Sequence, residues 1–357
     1  MMYHHKRLFM TGLFSVLVLI IAVLQDAQAC SRVLHVSKDG TMVVTGRTMD
    51  WFEDIESNLW LFPCGMKRNG VAGKNSAQWV SKYGSVIAAG FDAASTDGIN
   101  EKGLVVNILY LAEADFGKRD ETRPGLSWSV YAQYLLDNFA TVAEAVAAMK
   151  SDRIQVVASP IPGSIKKPPT LHFSISDASG DSAIFEYLNG KLVIHHGKKY
   201  KVMTNSPPYD RQIALNAYWE SVGGDHMLPG TCSAADRYVR GTYYLKQMPD
   251  PKTHRQALAN VMSVMRNISV PFCKTDPDSP NLSPTIWRTA ADQERKIYYF
   301  ESTLSPSIVW VLLDKLDFKQ GAAVKKLDLV GNYDLTGDVS GKFTASKPFI
   351  FIGPDSH

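Results

Sequence analysis

The feature that most constrains this chain is the junction where an apolar leader ends and a cysteine follows. A basic start precedes an apolar run over residues 13–24, which is too short to span a bilayer comfortably. Ala27 and Ala29 then form the Ala-x-Ala pattern of a cleaved secretory signal. We therefore expect residues 1–29 to be a signal peptide and Cys30 to be the first residue of a mature periplasmic or secreted protein.

A cysteine at an N-terminus can act as a nucleophile together with its own α-amine. The amine titrates near neutrality and the thiol slightly higher, so the amine can accept the thiol's proton without a separate histidine. On position alone, an ordinary structural cysteine is the simpler interpretation of Cys30. A lipoprotein anchor is a further alternative, although Ala27 occupies the place where lipoprotein signals carry a Leu-like residue.

Charge and cysteine spacing exclude several classes of protein. The whole chain carries a net charge of +3, so a nucleic-acid partner is not expected. No linker, charge block or repeat divides it, and we expect residues 30–357 to form a single domain. Cys64, Cys232 and Cys273 lack the spacing of a zinc site, and any disulfide among them is left open.

The first folded element is expected to be a β-hairpin. Two runs rich in β-branched residues, 33–36 and 42–51, flank an Asp-Gly turn. This pairing returns the second strand alongside Cys30 and places Arg47 and Asp50 next to the thiol. There, Arg47 would favour the thiolate, and Asp50 would accept a hydrogen bond from the α-ammonium. The alternative is an ordinary surface ion pair between Arg47 and Asp50.

Further along the chain, blocks of strands alternate with blocks of helices. Period-two alternation predicts the strands, apolar residues three to four apart predict the helices, and a capping box from Thr141 to Glu144 begins the second helix. The expected strands cover residues 85–91, 105–111, 171–175, 183–188, 192–196, 297–301 and 308–313, with a turn at 98–104. The expected helices cover residues 126–139, a segment from 141, 211–219, 233–247 and 254–265. This order indicates an α+β protein in which helices cover antiparallel sheets.

Five short motifs, taken together and in order, resemble those of the choloylglycine hydrolase family. They are Cys30-Ser31-Arg32, residues 46–51 (Gly-Arg-Thr-Met-Asp-Trp), residues 97–104 (Asp-Gly-Ile-Asn-Glu-Lys-Gly-Leu), residues 204–207 (Thr-Asn-Ser-Pro), and residues 228–230 followed by 236–240. The resemblance spans nearly the whole mature chain. That family comprises bile salt hydrolases and penicillin V acylases, which are N-terminal-nucleophile hydrolases. It implies a four-layer αββα sandwich of two antiparallel sheets between helix layers.

The resemblance also implies a role for each site residue. The catalytic residues would be Cys30 as nucleophile, Arg47 and Asp50 as its immediate partners, Asn205 and Arg237. Asn205 would lend its side-chain amide, and Tyr110 its backbone N–H, to the oxyanion hole of an amide hydrolysis. No metal and no organic cofactor is needed. The implied partner is a small N-acyl amide, with no stable membrane association, and because the family often forms tetramers we expect a homo-oligomer.

Two aromatic residues indicate which acyl group is accepted. Trp51 follows Asp50 directly, and Tyr110 stands where bile salt hydrolases of the family typically carry Asn, so both are expected to bind substrate. Two aromatic faces would form a slot for a flat phenoxyacetyl group or an extended fatty acyl chain. We therefore expect activity as a penicillin V acylase, an N-acyl homoserine lactone acylase or both. The alternatives are a conjugated bile salt hydrolase and a non-catalytic binding protein, lipid-anchored or periplasmic, on the same fold.

Overall fold

The predicted hairpin lies inside one of two large sheets at the centre of the structure. The computed structural model describes residues 30–162, 169–223, 226–273 and 283–354, so the expected signal peptide at 1–29 lies outside the described residues. Across these ranges, sheet A has seven strands and sheet B has nine. Neighbouring strands in both sheets are antiparallel except at one edge of sheet A.

The strands follow in order from one edge of each sheet to the other. Sheet A contains β14 (Val202–Met203), β1 (Ser31–Val36), β2 (Val43–Asp50), β15 (Thr285–Asp292), β16 (Ile297–Ser302), β17 (Val309–Leu312) and β19 (Gly337–Asp338). Sheet B contains β13 (Lys191–His196), β12 (Ser182–Leu188), β11 (Leu171–Ser176), β8 (Val105–Tyr110), β7 (Ala94–Asn100), β6 (Ser85–Gly90), β3 (Leu59–Phe62), β18 (Lys325–Leu327) and β20 (Thr344–Ala345). Two small pairs lie outside them: β4 (Lys67–Asn69) with β5 (Gln78–Val80), and β9 (Gly125–Ser127) with β10 (Gln155–Val157).

Helices cover the outer faces of both sheets. The helices are α1 (Trp128–Asn138), α2 (Val142–Lys150), α3 (Tyr209–Val222), α4 (Ala234–Gln247) and α5 (His254–Asn267). Helices α1 and α2 pack on sheet B, α4 and α5 pack on sheet A, and α3 packs on α4. The layer order is therefore helix, sheet, sheet, helix, as the family resemblance implies.

Strand β11 shows how the period-two pattern divides the core. Leu171, Phe173 and Ile175 join the apolar cluster that also contains residues of α1 and α2. The alternate side chains face sheet A, where Ser176 Oγ lies 2.8 Å from Thr45 Oγ1 of β2. The space between the sheets is consequently partly polar, and the site is built in this layer.

The structure differs from the sequence prediction at several places. Residues 98–100, predicted as a turn, belong to β7; a Cβ on Gly98 would lie 2.7 Å from the Val86 carbonyl oxygen, so the glycine serves close strand approach. The helix expected from residue 126 begins at Trp128, because residues 125–127 pair as β9. Strand β15 was not predicted, although it borders β2 along most of its length.

The capping box predicted from Thr141 to Glu144 begins helix α2. Thr141 accepts a hydrogen bond from Glu144 N at 3.2 Å, and the Glu144 carboxylate accepts one from Ala140 N at 2.8 Å. Ser233 and Thr253 cap α4 and α5 in the same way. No helix within the described ranges has the length and apolar character needed to cross a membrane.

Candidate active site

Cys30 stands at the start of β1 and is 3% exposed. Hairpin pairing sets Ser31 opposite Thr48, which brings the end of β2 next to the thiol as predicted. Cys30 Sγ lies 3.5 Å from Asp50 N and 3.7 Å from Arg47 Nη2. Its backbone φ of 55° is left-handed, an unfavourable conformation for a residue with a Cβ. The thiol is thus held at a fixed place by both strands.

Arg47 reaches from sheet A into the layer between the sheets. Its Nη2 donates to the Ile108 carbonyl oxygen at 2.8 Å, and its guanidinium lies 4.5 Å from the Trp287 ring centroid. Burial raises the pKa of the Cys30 thiol, and the positive charge of Arg47 opposes that rise without cancelling it. The expected effect of Arg47 on the thiol is therefore present, but burial outweighs it and favours the neutral thiol.

Asp50 and Arg237 form a fully buried ion pair behind the nucleophile. Asp50 Oδ2 lies 3.7 Å from Arg237 Nη1, and Asp50 Oδ1 accepts a 2.6 Å hydrogen bond from Thr285 Oγ1. Burial raises the pKa of the Asp50 carboxyl, while Arg237 and Thr285 act to lower it. Among the described residues, Asp50 Oδ2 has no hydrogen-bond donor. An α-ammonium on Cys30 is the kind of donor that this oxygen lacks.

Arg237 joins the nucleophile to the predicted oxyanion amide. Its Nη1 donates to the Cys30 carbonyl oxygen at 2.6 Å, and its Nη2 donates to Asn205 Oδ1 at 2.8 Å. Its Nε donates to the Cys232 carbonyl oxygen at 2.9 Å. Because Arg237 donates to Oδ1 of Asn205, the Nδ2 donor of the same amide points away from Arg237. That donor reaches the Tyr110 carbonyl oxygen at 2.6 Å.

The strand ladder fixes the direction of the Tyr110 backbone. Leu111 donates its N–H across to the residue preceding β11 at 3.0 Å, so in an antiparallel ladder its neighbour Tyr110 directs its groups to the opposite edge. On that edge Arg47 binds the Ile108 carbonyl and Asn205 binds the Tyr110 carbonyl. The N–H of Tyr110 therefore points to the edge where Asn205 lies, as a backbone oxyanion donor must.

An apolar cavity of about 60 Å³ opens beside the thiol. Its walls are aromatic or aliphatic for the most part and include Trp51, Ile55, Phe91, Ile108, Tyr110, Trp128, Ile161 and Leu171. The Trp51 and Tyr110 rings stand 6.4 Å apart between centroids at an angle of 56°. Trp51 also lines a second, adjoining cavity of about 300 Å³. A flat or narrow acyl group suits the first cavity, and Trp51 is the wall that it shares with the second.

The structure brings together every residue that the sequence singled out for the site. Five separate stretches of chain supply them, namely Cys30, residues 47–51 with Arg47, Asp50 and Trp51, and then Tyr110, Asn205 and Arg237. Sequence reasoning missed Thr285, which lies on the unpredicted strand β15, and Gln212, which donates to the Asn205 carbonyl oxygen. Neither belongs to a recognisable motif. A strand prediction for residues 285–292 would have been the one available signal for Thr285.

The cysteines and the adjacent histidines of β13 are the other residues with metal-binding or redox chemistry. All four cysteines of the chain are free thiols. His195 is buried near Glu186, whereas His196 bonds to Asp181, because neighbouring residues of a strand point to opposite faces. Within the part of the chain that the structure describes, no cluster of three or more His, Cys, Asp or Glu side chains is arranged to hold a metal ion.

Comparison with known proteins identifies what the chain resembles. Residues 30–332 match the family model described as linear amide C–N hydrolases, choloylglycine hydrolase family. Penicillin V acylase of Pectobacterium atrosepticum is 47% identical over 348 residues, covering 91% of this chain and 92% of that protein. A bile salt hydrolase/transferase of Clostridium perfringens is 27% identical over 300 residues, covering 76% of this chain and 89% of that protein. The solved structure of penicillin V acylase from Agrobacterium tumefaciens matches with a TM-score of 0.84 and 49% identity. The match covers 91% of this chain and 100% of that one.

Proposed function

Since this chain belongs to the choloylglycine hydrolase family of linear amide C–N hydrolases, we propose that it is a cysteine amidohydrolase of the penicillin V acylase type with Cys30 as nucleophile. The observation that carries this proposal is the convergence on one thiol of a buried acid, two arginines and two amide donors. The predicted family and the αββα fold are both confirmed by the comparisons. The roles of the individual residues remain proposals.

In the proposed first step, the α-amine of mature Cys30 takes the thiol proton as sulfur attacks the acyl carbonyl. Asp50 Oδ2 accepts a hydrogen bond from the resulting ammonium. Negative charge develops on the acyl oxygen, and the Asn205 amide and the Tyr110 N–H stabilise it, each donor contributing about 3 kcal/mol. The ammonium then protonates the leaving amine. Because burial keeps the resting thiol neutral, proton transfer accompanies the attack.

In the second step, water releases the acyl group from sulfur. The α-amine, neutral again, accepts a proton from the water molecule as the water attacks the thioester. The same two donors hold the second oxyanion. Collapse of this intermediate breaks the carbon–sulfur bond and regenerates the free thiol. Every step uses groups of this chain and water.

The proposed mechanism requires removal of residues 1–29, because a peptide bond to Cys30 would leave no basic amine. We accordingly include signal cleavage before Cys30 and export to the periplasm or medium in the proposal, together with assembly as a homo-oligomer. Mass analysis of the N-terminus of the purified protein tests cleavage. A free cysteine supports the enzyme, whereas a diacylglycerol adduct or a different start contradicts it and favours the lipid-anchored binding protein.

The proposed substrates are N-acyl amides with flat or extended acyl groups. The narrow apolar cavity between Trp51 and Tyr110 supports phenoxyacetyl amides such as penicillin V and long-chain N-acyl homoserine lactones, the latter cleaved at the amide. A rigid steroid would fit this cavity poorly. The test compares specificity constants for penicillin V, a long-chain acyl homoserine lactone and glycocholate on one preparation. If glycocholate is the best of the three, the bile salt alternative replaces this proposal.

Replacement of the nucleophile gives the most direct test of the chemistry. Cys30→Ser should abolish hydrolysis and leave the fold intact, because a serine hydroxyl is far less acidic than a thiol and the α-amine is too weak a base to activate it. Circular dichroism and the thermal midpoint serve as controls for folding. Retention of more than a few per cent of activity would show that another group is the nucleophile.

A further inference from the structure

The turn that carries Asn205 is held at both ends by two side chains of sheet B. This turn, residues 204–208, connects β14 to α3. At its start, the Thr204 carbonyl oxygen accepts a 2.8 Å hydrogen bond from His172 Nε2. At its end, Tyr209 N donates to both carboxylate oxygens of Glu186, at 3.1 Å and 3.1 Å. Two groups outside the proposed catalytic set therefore fix the position of the oxyanion amide.

His172 and Glu186 are themselves a pair. They lie on neighbouring strands, one position beyond the Phe173 and Phe185 pairing of β11 with β12, so their side chains emerge opposite each other toward sheet A. His172 Nδ1 is 3.1 Å from Glu186 Oε1, and the two side chains are 0% and 1% exposed. Both side chains are therefore excluded from solvent and fixed to neighbouring strands of sheet B.

Hydrogen bonding holds Glu186 as a buried carboxylate. Both ring nitrogens of His172 face acceptors, the Thr204 carbonyl oxygen and the Glu186 carboxylate. Burial acts to raise the pKa of the Glu186 carboxyl, but hydrogen bonds from His172 and Tyr209 N, together with the nearby His195 ring, outweigh it and lower the pKa to about 2. The carboxylate therefore links the His172 ring to the start of helix α3.

The carboxylate also replaces a missing helix cap. Helix α3 begins at Tyr209, and its N-cap residue Pro208 offers no side-chain hydrogen bond. Glu186 supplies the acceptor and places negative charge at the positive end of the helix. Gln212, one turn into α3, donates to the Asn205 carbonyl oxygen and accepts from Thr204 Oγ1 at 2.9 Å. Movement of the helix start would therefore move Asn205.

We propose that His172 and Glu186 form a buried, hydrogen-bonded positioning pair that aims the Asn205 amide at the developing oxyanion. The inference rests on the proposed function, because it assigns the pair to that reaction. Neither residue reaches the nucleophile, and both act through the turn. A buried carboxylate is costly to leave without its hydrogen-bond donors, so such a pair suits a fixed geometry.

The test measures an oxyanion-dependent and an oxyanion-independent reaction of the same thiol. Glu186→Gln keeps the shape of the side chain and removes its charge. We expect the kcat for penicillin V to fall about 10- to 100-fold with KM within about threefold, since the interaction operates in the transition state. The affinity for phenoxyacetaldehyde, which adds reversibly to Cys30 and places its oxygen in the hole, should fall by a similar factor.

Alkylation by iodoacetamide supplies the contrast. It displaces iodide from carbon and develops no oxyanion, so its rate at Cys30 should stay within about twofold of the parent. His196→Gln is the matched control, because His196 follows His195 on β13, faces away from Glu186 and bonds instead to Asp181 at 2.8 Å. That variant should keep kcat and aldehyde affinity. Glu186→Asp retains the negative charge and should recover part of the lost kcat. His172→Gln should show the same loss as Glu186→Gln.

Equal losses in aldehyde affinity and alkylation would overturn the inference, because they would indicate general disruption of the site. Unchanged kcat and aldehyde affinity in Glu186→Gln and His172→Gln would overturn it as well. If the proposed function is wrong, the result is different, because the parent protein itself then hydrolyses none of the amides. The ratio of aldehyde affinity to alkylation rate still tests the positioning role in that event.

Discussion

Thr285 offers the sharpest test of the acid behind the nucleophile, because two variants separate its hydroxyl from its shape. Its Oγ1 donates to Asp50 Oδ1 at 2.6 Å and accepts from Val270 N at 2.9 Å, with all three residues buried. Thr285→Val keeps the branched shape and removes both bonds. Thr285→Ser keeps the hydroxyl and removes one methyl group.

The bonds set the expected size of the effect. A hydrogen bond to a buried charged group contributes about 2 kcal/mol, and an orphaned backbone N–H costs about 1 to 2 kcal/mol. Thr285→Val should therefore lose about 3 to 4 kcal/mol of folding free energy. With an unfolding entropy of about 2.1 cal/mol/K per residue, the thermal midpoint of this domain should fall by about 5 °C. Thr285→Ser should lose about 1 kcal/mol, mainly from the missing methyl group.

Activity should respond through Asp50. The hydrogen bond from Thr285 lowers the pKa of the Asp50 carboxyl against the rise caused by burial. Its removal raises that pKa, so Asp50 becomes protonated at higher pH and can no longer accept from the α-ammonium. In Thr285→Val the acid limb of the kcat/KM profile for penicillin V should move up by about one pH unit. Thr285→Ser should keep the parent profile. Identical acid limbs in the parent and the Val variant, or a Ser variant that follows Val, would refute this reasoning.

Three further predictions follow from the same geometry. Asn205→Ala should lower kcat for penicillin V about 100- to 1000-fold with a smaller change in KM, and a loss confined to KM would mean that the amide binds the ground state. Trp51→Ala should weaken binding of phenoxyacetyl and long acyl groups by about 1 to 3 kcal/mol; equal losses for glycocholate, measured by competitive inhibition, would contradict the aromatic-slot argument. Glu186, with a pKa of about 2 against an ordinary value of 4.5, stabilises the fold above pH 4.5 and loses that contribution as the pH falls toward 2. Calorimetry at pH 6 and pH 3 should show a larger loss in the parent than in Glu186→Gln, by about 2 kcal/mol, and equal losses would contradict the assignment of Glu186 as a carboxylate.

Local sequence rules predicted most individual elements of this fold. The Asp-Gly turn predicted the first hairpin, and the capping box at Thr141 predicted where α2 begins. Period-two alternation correctly predicted β11 and its alternating apolar side chains, which pack with residues of α1 and α2. These signals act over a few residues and do not depend on what packs against them. The motifs, read together, also identified the family and the seven residues of the proposed site.

Signals that depend on a neighbouring element were read wrongly or not at all. Gly98 resembles a turn glycine, and only the close approach of Val86 shows that it belongs inside a sheet. Strand β15 is rich in Thr and Ala, and its identity as a strand comes from lying beside β2. Thr285 was missed for the same reason.

The chemistry of the site was decided by tertiary packing. The sequence placed Arg47 beside Cys30 and predicted a favoured thiolate, but burial between the sheets raises the pKa of the thiol more than Arg47 lowers it. Desolvation depends on every atom that surrounds a group, and the surrounding atoms here come from strands and helices more than 200 residues apart, as in the contact of Arg237 with Cys30. The sequence by itself determined which groups are present at the site, and the packing of two sheets determined their charge and their distances.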